Sequence, residues 1–436
     1  MSAFLFPAPF QRFTLSKTLQ NHPTLPRRTS SRIVVCAHSP PSRSKPSIRI
    51  LIATLAAAAA FNFNFLPPHQ FLPDVAHAAR GGGASFSSAS GDVNKDGESL
   101  LRWALPIDNQ EVRDLQGELE GITTDLRGFK WGKVSDHVRK VKGIAERKGN
   151  SIMKAVNSQH KEEAQRLMSE IKDGLSDIGN AVADKSADKV VERQKDVLRK
   201  VGQLEEMMVN RFPYEVPEEY SNLPWLRGRA TIEMTVEKAG GAQFDIDGTL
   251  YDKGYLTMVV DGYSAPLTAG NFVQLVNRGF YNGKQVIRSD GFVVQTGKPE
   301  GKAEGYVDPD LNKVRTVPLE VFAKGDKSPT YGVTLEDDGR GAAATVLPFS
   351  SYGTLAFARE EFTPDSGSSQ FFWFLFTPDL TPAGRNLLDG RYAVFGYTVD
   401  GQKFLTGLEA GDRIVEAKVT AGLENLVEPK VEARTG

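Results

Sequence analysis

Apolar residues recur every three or four positions between residues 99 and 211. In the first stretch they are Val112, Leu115, Leu119, Ile122 and Leu126. Further stripes with this spacing run from Val134 to Ile144, from Leu167 to Val182 and from Val190 to Met208. Because residues three and four apart share one side of a helix, each stripe predicts an amphipathic helix. About four such helices predict an up-and-down bundle over 99–211, with breaks at Gly128, at Gly149 and around 184–186. The alternative, that one stripe binds a partner helix, is less expected for stripes of this length.

The helical period ends in a segment that contains three prolines. Pro213, Pro217 and Pro224 lie within residues 212–228, which predicts a proline-rich linker arm. From residue 229 the period changes to two, and the apolar positions are Ala230, Ile232, Met234 and Val236. Alternation of this kind is typical of β-strands with one buried face. The pattern therefore predicts a second, strand-rich domain over residues 229–432.

The first 98 residues follow neither period. Eight Lys or Arg residues precede Asp74, which is the first acidic residue, and serines are frequent. This composition is typical of an organelle transit peptide, predicted over 1–37. An apolar run at 50–60, with a basic flank and the small-residue site at Ala76-His77-Ala78, predicts a second, removable signal over 38–78. Two such signals in tandem predict delivery into the chloroplast thylakoid lumen. The Gly- and Ser-rich segment 79–98 reads as a disordered lead-in.

Removal of both signals changes the chemistry of the chain. It takes away eight basic residues and one acidic residue, so the remainder is more acidic than the full chain, whose net charge is −1. An acidic chain argues against nucleic-acid binding. The single cysteine, Cys36, is also removed, which leaves neither disulfide nor thiol chemistry. No motif indicates a metal or an organic cofactor.

The candidate chemistry lies in two segments of the strand-rich domain, 281–297 and 365–372. Both are apolar with a few polar residues and are bounded by glycines. Arg288 is a permanent cation among apolar neighbours, and a buried cation needs hydrogen-bond partners, for which Gln295 and Gln370 are candidates. The alternative is an arginine on the solvent face of an edge strand.

These segments contain four ordered motifs that resemble the cyclophilin family of peptidyl-prolyl isomerases. The motifs are Pro266-x-Thr268-x-x-Asn271-Phe272, Arg288 followed by Gly291-Phe292-Val293-x-Gln295-x-Gly297, Gly367-Ser368-Ser369-Gln370-Phe371-Phe372, and Leu388-Asp389-Gly390 followed by Val394-Phe395-Gly396. The resemblance covers roughly residues 229–425. It implies a closed cyclophilin-like β-barrel after the bundle, and this order resembles the two-domain thylakoid-lumen cyclophilins of plants.

The resemblance also implies the site. Arg288 and Gln295 take the catalytic positions, where the arginine donates a hydrogen bond towards the prolyl amide and the glutamine holds it. The substrate-binding positions are Phe292, Val293, Ala356, Phe357, Gln370, Phe372, Leu387, Leu388 and Tyr392. No cofactor is implied. The implied partners are proline-containing client proteins, including lumenal parts of photosynthetic membrane complexes.

The chain departs from the family pattern around this site. Ile287 replaces a histidine, Phe357 an asparagine, Leu387 a tryptophan and Tyr392 a histidine, and the spacing from Arg288 to Phe292 is one residue short. The segment 302–352 is also longer than in a minimal cyclophilin. Two functions remain open: a lumenal prolyl isomerase that assists folding or assembly, or a catalytically weak or inactive cyclophilin that serves as a binding scaffold or chaperone for a photosynthetic complex.

Overall fold

The computed structural model describes residues 93–309, 311–375 and 386–429. The predicted transit peptide, the lumen signal and most of the lead-in lie outside these residues. Within them no helix is both long and apolar enough to cross a membrane.

Six helices form the first part of the described chain. They are α1 Gly97–Ala104, α2 Gln110–Arg127, α3 Trp131–Arg147, α4 Gly149–Ala155, α5 Lys161–Ala183 and α6 Ala187–Glu206. Helix α2 begins where the side chain of Asn109 accepts a hydrogen bond from the Val112 amide, and it ends at Arg127, before the capping residue Gly128. Breaks therefore occur at Gly128 and around 184–186, as the sequence predicts, and the break expected at Gly149 falls at Lys148, so that Gly149 begins α4.

The four long helices share one apolar core. Helix α2 packs on α3 and α6, and α5 packs on α6 and α3, so each has two helical neighbours. The residues of the predicted stripes supply this core, with Val112, Leu119, Ile171 and Val201 fully buried. The helical first region is thus confirmed, with the short helices α1 and α4 added to the expected four.

Helix α1 begins at Gly97, inside the segment read as a disordered lead-in. The Asp96 side chain accepts a hydrogen bond from the Glu98 amide and so caps its first turn. Its leucines, Leu100 and Leu101, do not join the helical core but pack on the outer face of the strand-rich domain. The composition around residue 97 is polar and does not predict this helix. Its apolar partners lie some 250 residues further along the chain, so no local pattern indicates them.

The strand-rich domain contains sixteen short and long strands within the described residues, together with one helix, α7 Pro266–Asn277. The strands are β1 Trp225–Leu226, β2 Arg229–Glu237, β3 Phe244–Ile246, β4 Thr249–Tyr251, β5 Lys253–Asp261, β6 Arg288–Ser289, β7 Val293–Thr296, β8 Val307–Asp308, β9 Lys313–Val314, β10 Glu320–Val321, β11 Thr330–Tyr331, β12 Thr354–Phe357, β13 Phe371–Phe374, β14 Val394–Asp400, β15 Arg413–Ala421 and β16 Leu426–Val427.

Eight of these strands form one antiparallel sheet in the order β15-β2-β5-β14-β12-β13-β7-β6. The sheet curls into a half-barrel, and its end strands β15 and β6 do not pair with each other. A helical region followed by a strand-rich domain is therefore confirmed, whereas full closure of the barrel stays a prediction. Inside the curl, the buried helix α7 places Phe272 against Phe371 and Phe395 at ring-centroid distances of 5.0 Å each.

The predicted linker arm packs on the strand-rich domain. Strand β1 lies within it and pairs with β16, and the hydroxyl of Tyr214 donates to the Tyr263 carbonyl at 2.9 Å. At the junction with the helices, Arg229 pairs with Asp261 at 2.9 Å and also donates to the Leu101 carbonyl of α1. The arm and α1 thus join the two regions.

Candidate functional site

The site is built on the hairpin formed by β6 and β7. Arg288 lies directly across from Gln295 in this hairpin. One carboxyl oxygen of Asp290, Oδ1, accepts the backbone amides of Phe292 and Val293 at 3.0 Å each, and Gly291 takes the left-handed conformation with φ of 83°. These contacts close a tight turn, which accounts for the short spacing between the arginine and the phenylalanine.

Arg288 is an exposed residue, and this corrects the expectation of a buried cation. Its side chain is 58% exposed, and it is bound by Asp290 rather than by a glutamine. The Nε group donates a hydrogen bond to Oδ2 of Asp290 at 2.7 Å, and Nη2 lies 2.5 Å from the same oxygen in an ion pair. The expectation that Gln295 holds the arginine is therefore wrong. The turn itself supplies the carboxylate that binds the arginine.

Gln295 instead joins a line of polar side chains. Its Nε2 donates to Oε1 of Gln370 at 2.9 Å, and Gln370 Nε2 donates to the Glu304 carbonyl at 2.5 Å. The Glu304 carboxylate accepts from Lys298 at 2.7 Å, and this hydrogen bond lowers the pKa of Glu304. The line runs beside Arg288 and presents amide groups that can bind a peptide backbone.

An apolar face lies on the outer side of the sheet next to this line. The strand register places Phe372 opposite both Gln295 and Ala356. The face comprises five of the predicted residues: Val293, Ala356, Phe372, Leu388 and Tyr392. The ring of Tyr392 meets Phe372 edge-on at 5.6 Å. The structure thus brings these predicted substrate-binding residues together.

Phe349 covers one side of this face. Its ring stacks on Phe372 with centroids 6.1 Å apart and meets Phe374 edge-on at 5.3 Å. It is held by its backbone amide, which donates to Oδ1 of Asp389 at 2.7 Å. Phe372 is only 6% exposed as a result of its packing. The long segment 302–352 therefore reaches the site through Phe349, a residue that no motif in the sequence marks.

Phe357 is a second correction to the sequence prediction. It faces the opposite side of the sheet, where its ring meets Phe395 at 5.1 Å in the inner core. Alternation along β12 places Ala356 and then Ala358 on the outer face instead. The next residue, Arg359, lies 5.0 Å from the Tyr392 ring centroid, a contact that sequence reasoning missed. Strict counting by twos from Ala356 is the signal that finds Ala358 and excludes Phe357, whereas the contact of Arg359 has no such signal.

Three apolar side chains at the rim remain exposed. Phe292 is largely exposed, although its carbonyl accepts from the Leu375 amide at 2.7 Å. Ile287 is exposed beside Arg288, and Leu387 is 81% exposed. The structure thus does not pack Leu387 into the apolar face, although its neighbour Leu388 belongs to it.

Comparisons with known proteins match both regions of the chain. The family model described as "Peptidyl-prolyl cis-trans isomerase CYP38-like, PsbQ-like domain" matches residues 96–209. The model of cyclophilin-type peptidyl-prolyl cis-trans isomerases matches residues 244–424, which include the hairpin and the apolar face.

Several curated proteins are similar over most of the chain. The chloroplastic peptidyl-prolyl cis-trans isomerase CYP38 of Arabidopsis thaliana is 46% identical over 83% of this chain and 82% of its own length. A putative thylakoid lumen peptidyl-prolyl cis-trans isomerase of Synechocystis is 46% identical over 78% of this chain and 86% of its own. The chloroplastic isomerase CYP37 of Arabidopsis thaliana is 32% identical over 77% and 72%.

Proposed function

Because the chain belongs to the cyclophilin-type peptidyl-prolyl cis-trans isomerases that carry a PsbQ-like helical domain, we propose that it isomerises Xaa-Pro bonds in the chloroplast thylakoid lumen. It would assist the folding or assembly of lumenal and thylakoid membrane proteins. The similarity to chloroplastic and thylakoid-lumen isomerases supports this location, as do the two signals predicted at 1–37 and 38–78. We also propose residues 99–211 and 229–432 as the two functional domains, joined by the arm at 212–228.

The proposed reaction needs little chemistry from the protein. Rotation about an Xaa-Pro bond has a barrier of about 18–20 kcal/mol because the amide is a partial double bond. A catalyst has to hold the proline ring on an apolar surface and donate a hydrogen bond to the twisted amide, whose nitrogen regains its lone pair. No general acid, general base or cofactor is required for this.

The observation that carries the proposal is the position of Arg288 beside the apolar face. We infer that a proline ring contacts the half-buried part of the face, at Val293, Leu388 and Tyr392, and that the amide line of Gln295 and Gln370 binds the peptide backbone on either side. Arg288 is the cationic donor on the same hairpin as Val293. A hydrogen bond that stabilises the twisted amide more than the planar amide lowers the barrier and so raises the rate of isomerisation.

A second candidate function is a catalytically weak cyclophilin that binds clients as a scaffold or chaperone of a photosynthetic complex. The packing of Phe349 on Phe372 favours it, because a proline ring then has less of the face to contact. The ion pair between Arg288 and Asp290 also favours it, because an arginine bound to a carboxylate is slower to donate to the prolyl amide of a client. We place this function second because the arginine and the apolar face are both retained.

The test is the variant Arg288→Ala in a protease-free isomerisation assay with a proline tetrapeptide. Loss of a hydrogen bond from a charged donor costs about 1.5–3 kcal/mol, so kcat/KM should fall about 10- to 150-fold. The matched control is Arg166→Ala, since Arg166 on α5 is also 58% exposed and ion-paired. If the wild type and Arg288→Ala both isomerise the peptide at the same slow, uncatalysed rate, the isomerase is rejected in favour of the scaffold.

A further inference from the structure

We propose that Asp290 is a positioning residue for this reaction, which holds the Arg288 guanidinium at the hairpin turn until an Xaa-Pro substrate displaces it. The inference rests on the proposed isomerase function and adds a residue that sets its rate. It is based on the observation that the two carboxylate oxygens of Asp290 bind different partners.

The two oxygens of Asp290 have separate partners. Oδ1 accepts the backbone amides of Phe292 and Val293, and so maintains the turn. Oδ2 accepts a hydrogen bond from Nε of Arg288 and lies in ion-pair contact with Nη2, and so binds the cation beside two nitrogens at once. Removal of the second function without the first is therefore chemically possible.

The ion pair between Asp290 and Arg288, here called the clamp, persists over the ordinary pH range. Partial burial opposes ionisation of Asp290, but the backbone amides of Val293 and Phe292 and the Arg288 guanidinium outweigh it and lower the pKa of the carboxyl. Asp290 is thus ionised wherever an unperturbed aspartate is ionised. Among the described residues, the ion pairs of Arg288 involve no other carboxylate.

The clamp has a consequence for the substrate. The ion pair holds the Nε and Nη2 side of the guanidinium at the turn, so these two nitrogens reach a prolyl amide only when this contact opens or rearranges. Exposed ion pairs contribute about 0.2–1 kcal/mol, and the upper value corresponds to a factor of about five in rate. Asp290 therefore lowers kcat/KM modestly while it keeps the flexible arginine beside the apolar face.

The variant that separates the two roles is Asp290→Asn. The asparagine keeps Oδ1 as an acceptor for the turn, but its Nδ2 is a donor that cannot accept from a guanidinium. The matched control is Asp326→Asn, which removes a comparable contact of 2.5 Å between Asp326 and Arg340 elsewhere in the domain. All variants are made in the full chain, and circular dichroism and thermal melting confirm that the turn variant folds.

Two measurements test the inference. We expect Asp290→Asn to raise kcat/KM for a proline tetrapeptide about two- to five-fold, and Asp326→Asn to leave it unchanged. The gain should vanish in the double variant Arg288→Ala/Asp290→Asn. In ¹⁵N-arginine NMR spectra, the Nε–H signal of Arg288, assigned by its loss in Arg288→Ala, should shift and exchange faster with water in Asp290→Asn.

The outcomes separate this inference from the proposed function. If Arg288→Ala lowers kcat/KM but Asp290→Asn does not raise it, the isomerase stands and the role of Asp290 is refuted. A gain that survives in the double variant would assign the effect to the turn, which also refutes it. If neither the wild type nor any of the variants catalyses isomerisation, the proposed function fails, and the inference fails with it.

Discussion

Glu205 lies near the end of α6 with its carboxyl fully buried against cations of the neighbouring helices. Its Oε1 is 3.3 Å from Nη1 of Arg113 on α2, while Oε2 has no hydrogen-bond partner. Burial raises the pKa of Glu205 to about 8, although the nearby charges of Arg113, Arg102 and Arg229 lower it. Burial likewise lowers the pKa of Arg113. Both pKa shifts indicate that the desolvation of Glu205 and Arg113 outweighs the single long contact between them.

The sign of the pH effect follows from linkage. The folded protein binds a proton at Glu205 more tightly than the unfolded chain, whose pKa is near the ordinary 4.5. Stability from this group is fully present below pH 4.5 and is lost as pH rises towards 8. Where the folded state binds one proton more than the unfolded state, the free energy of unfolding falls by about 1.4 kcal/mol per pH unit. Between about pH 5.5 and 7.5 the wild type should lose about 2–3 kcal/mol from this source.

The variant Glu205→Gln tests this reasoning, because glutamine imitates the protonated carboxyl and does not titrate. Urea denaturation, followed by circular dichroism at several pH values, gives the free energy of unfolding of both proteins. We expect the stability of the variant relative to the wild type to grow by about 2–3 kcal/mol from pH 5.5 to 7.5. Glu162→Gln, at an exposed position on α5, is the control. A difference between Glu205→Gln and the wild type that does not change with pH would show that Glu205 is ionised in the fold and refute the argument.

Two further predictions concern packing. Phe349→Ala removes a fully buried ring from the apolar face and should lower the free energy of unfolding by about 3–5 kcal/mol in urea denaturation; a loss under about 1 kcal/mol would contradict the packing described. Gly297→Ala places a Cβ 2.3 Å from the Ser369 carbonyl oxygen at φ of 88°, so it should cost more than about 2 kcal/mol. Gly301→Ala has φ of 86° but open space, so thermal melting should show only the conformational cost of about 1 kcal/mol; equal losses at both glycines would refute the steric argument.

The sequence by itself determined the features that depend on neighbours along the chain. The three- and four-residue spacing around Leu115 and Leu119 predicts the helices, since a helix face repeats locally whatever it packs against. The motif residues Val293, Phe372 and Tyr392 could likewise be assigned to one apolar face by their resemblance to a family, and the structure brings them together.

Only the tertiary structure decided the contacts between distant segments. The covering of Phe372 by Phe349 and the packing of Leu101 on the strand-rich domain join residues far apart in the chain, and no local pattern encodes such a meeting. The orientation of Phe357 depends on the register of β12, in which a shift by one residue exchanges the two faces of the strand. The ionisation of Glu205 depends on burial between helices, because the free energy of a charge is set by the solvent and dipoles around it rather than by its neighbours in sequence.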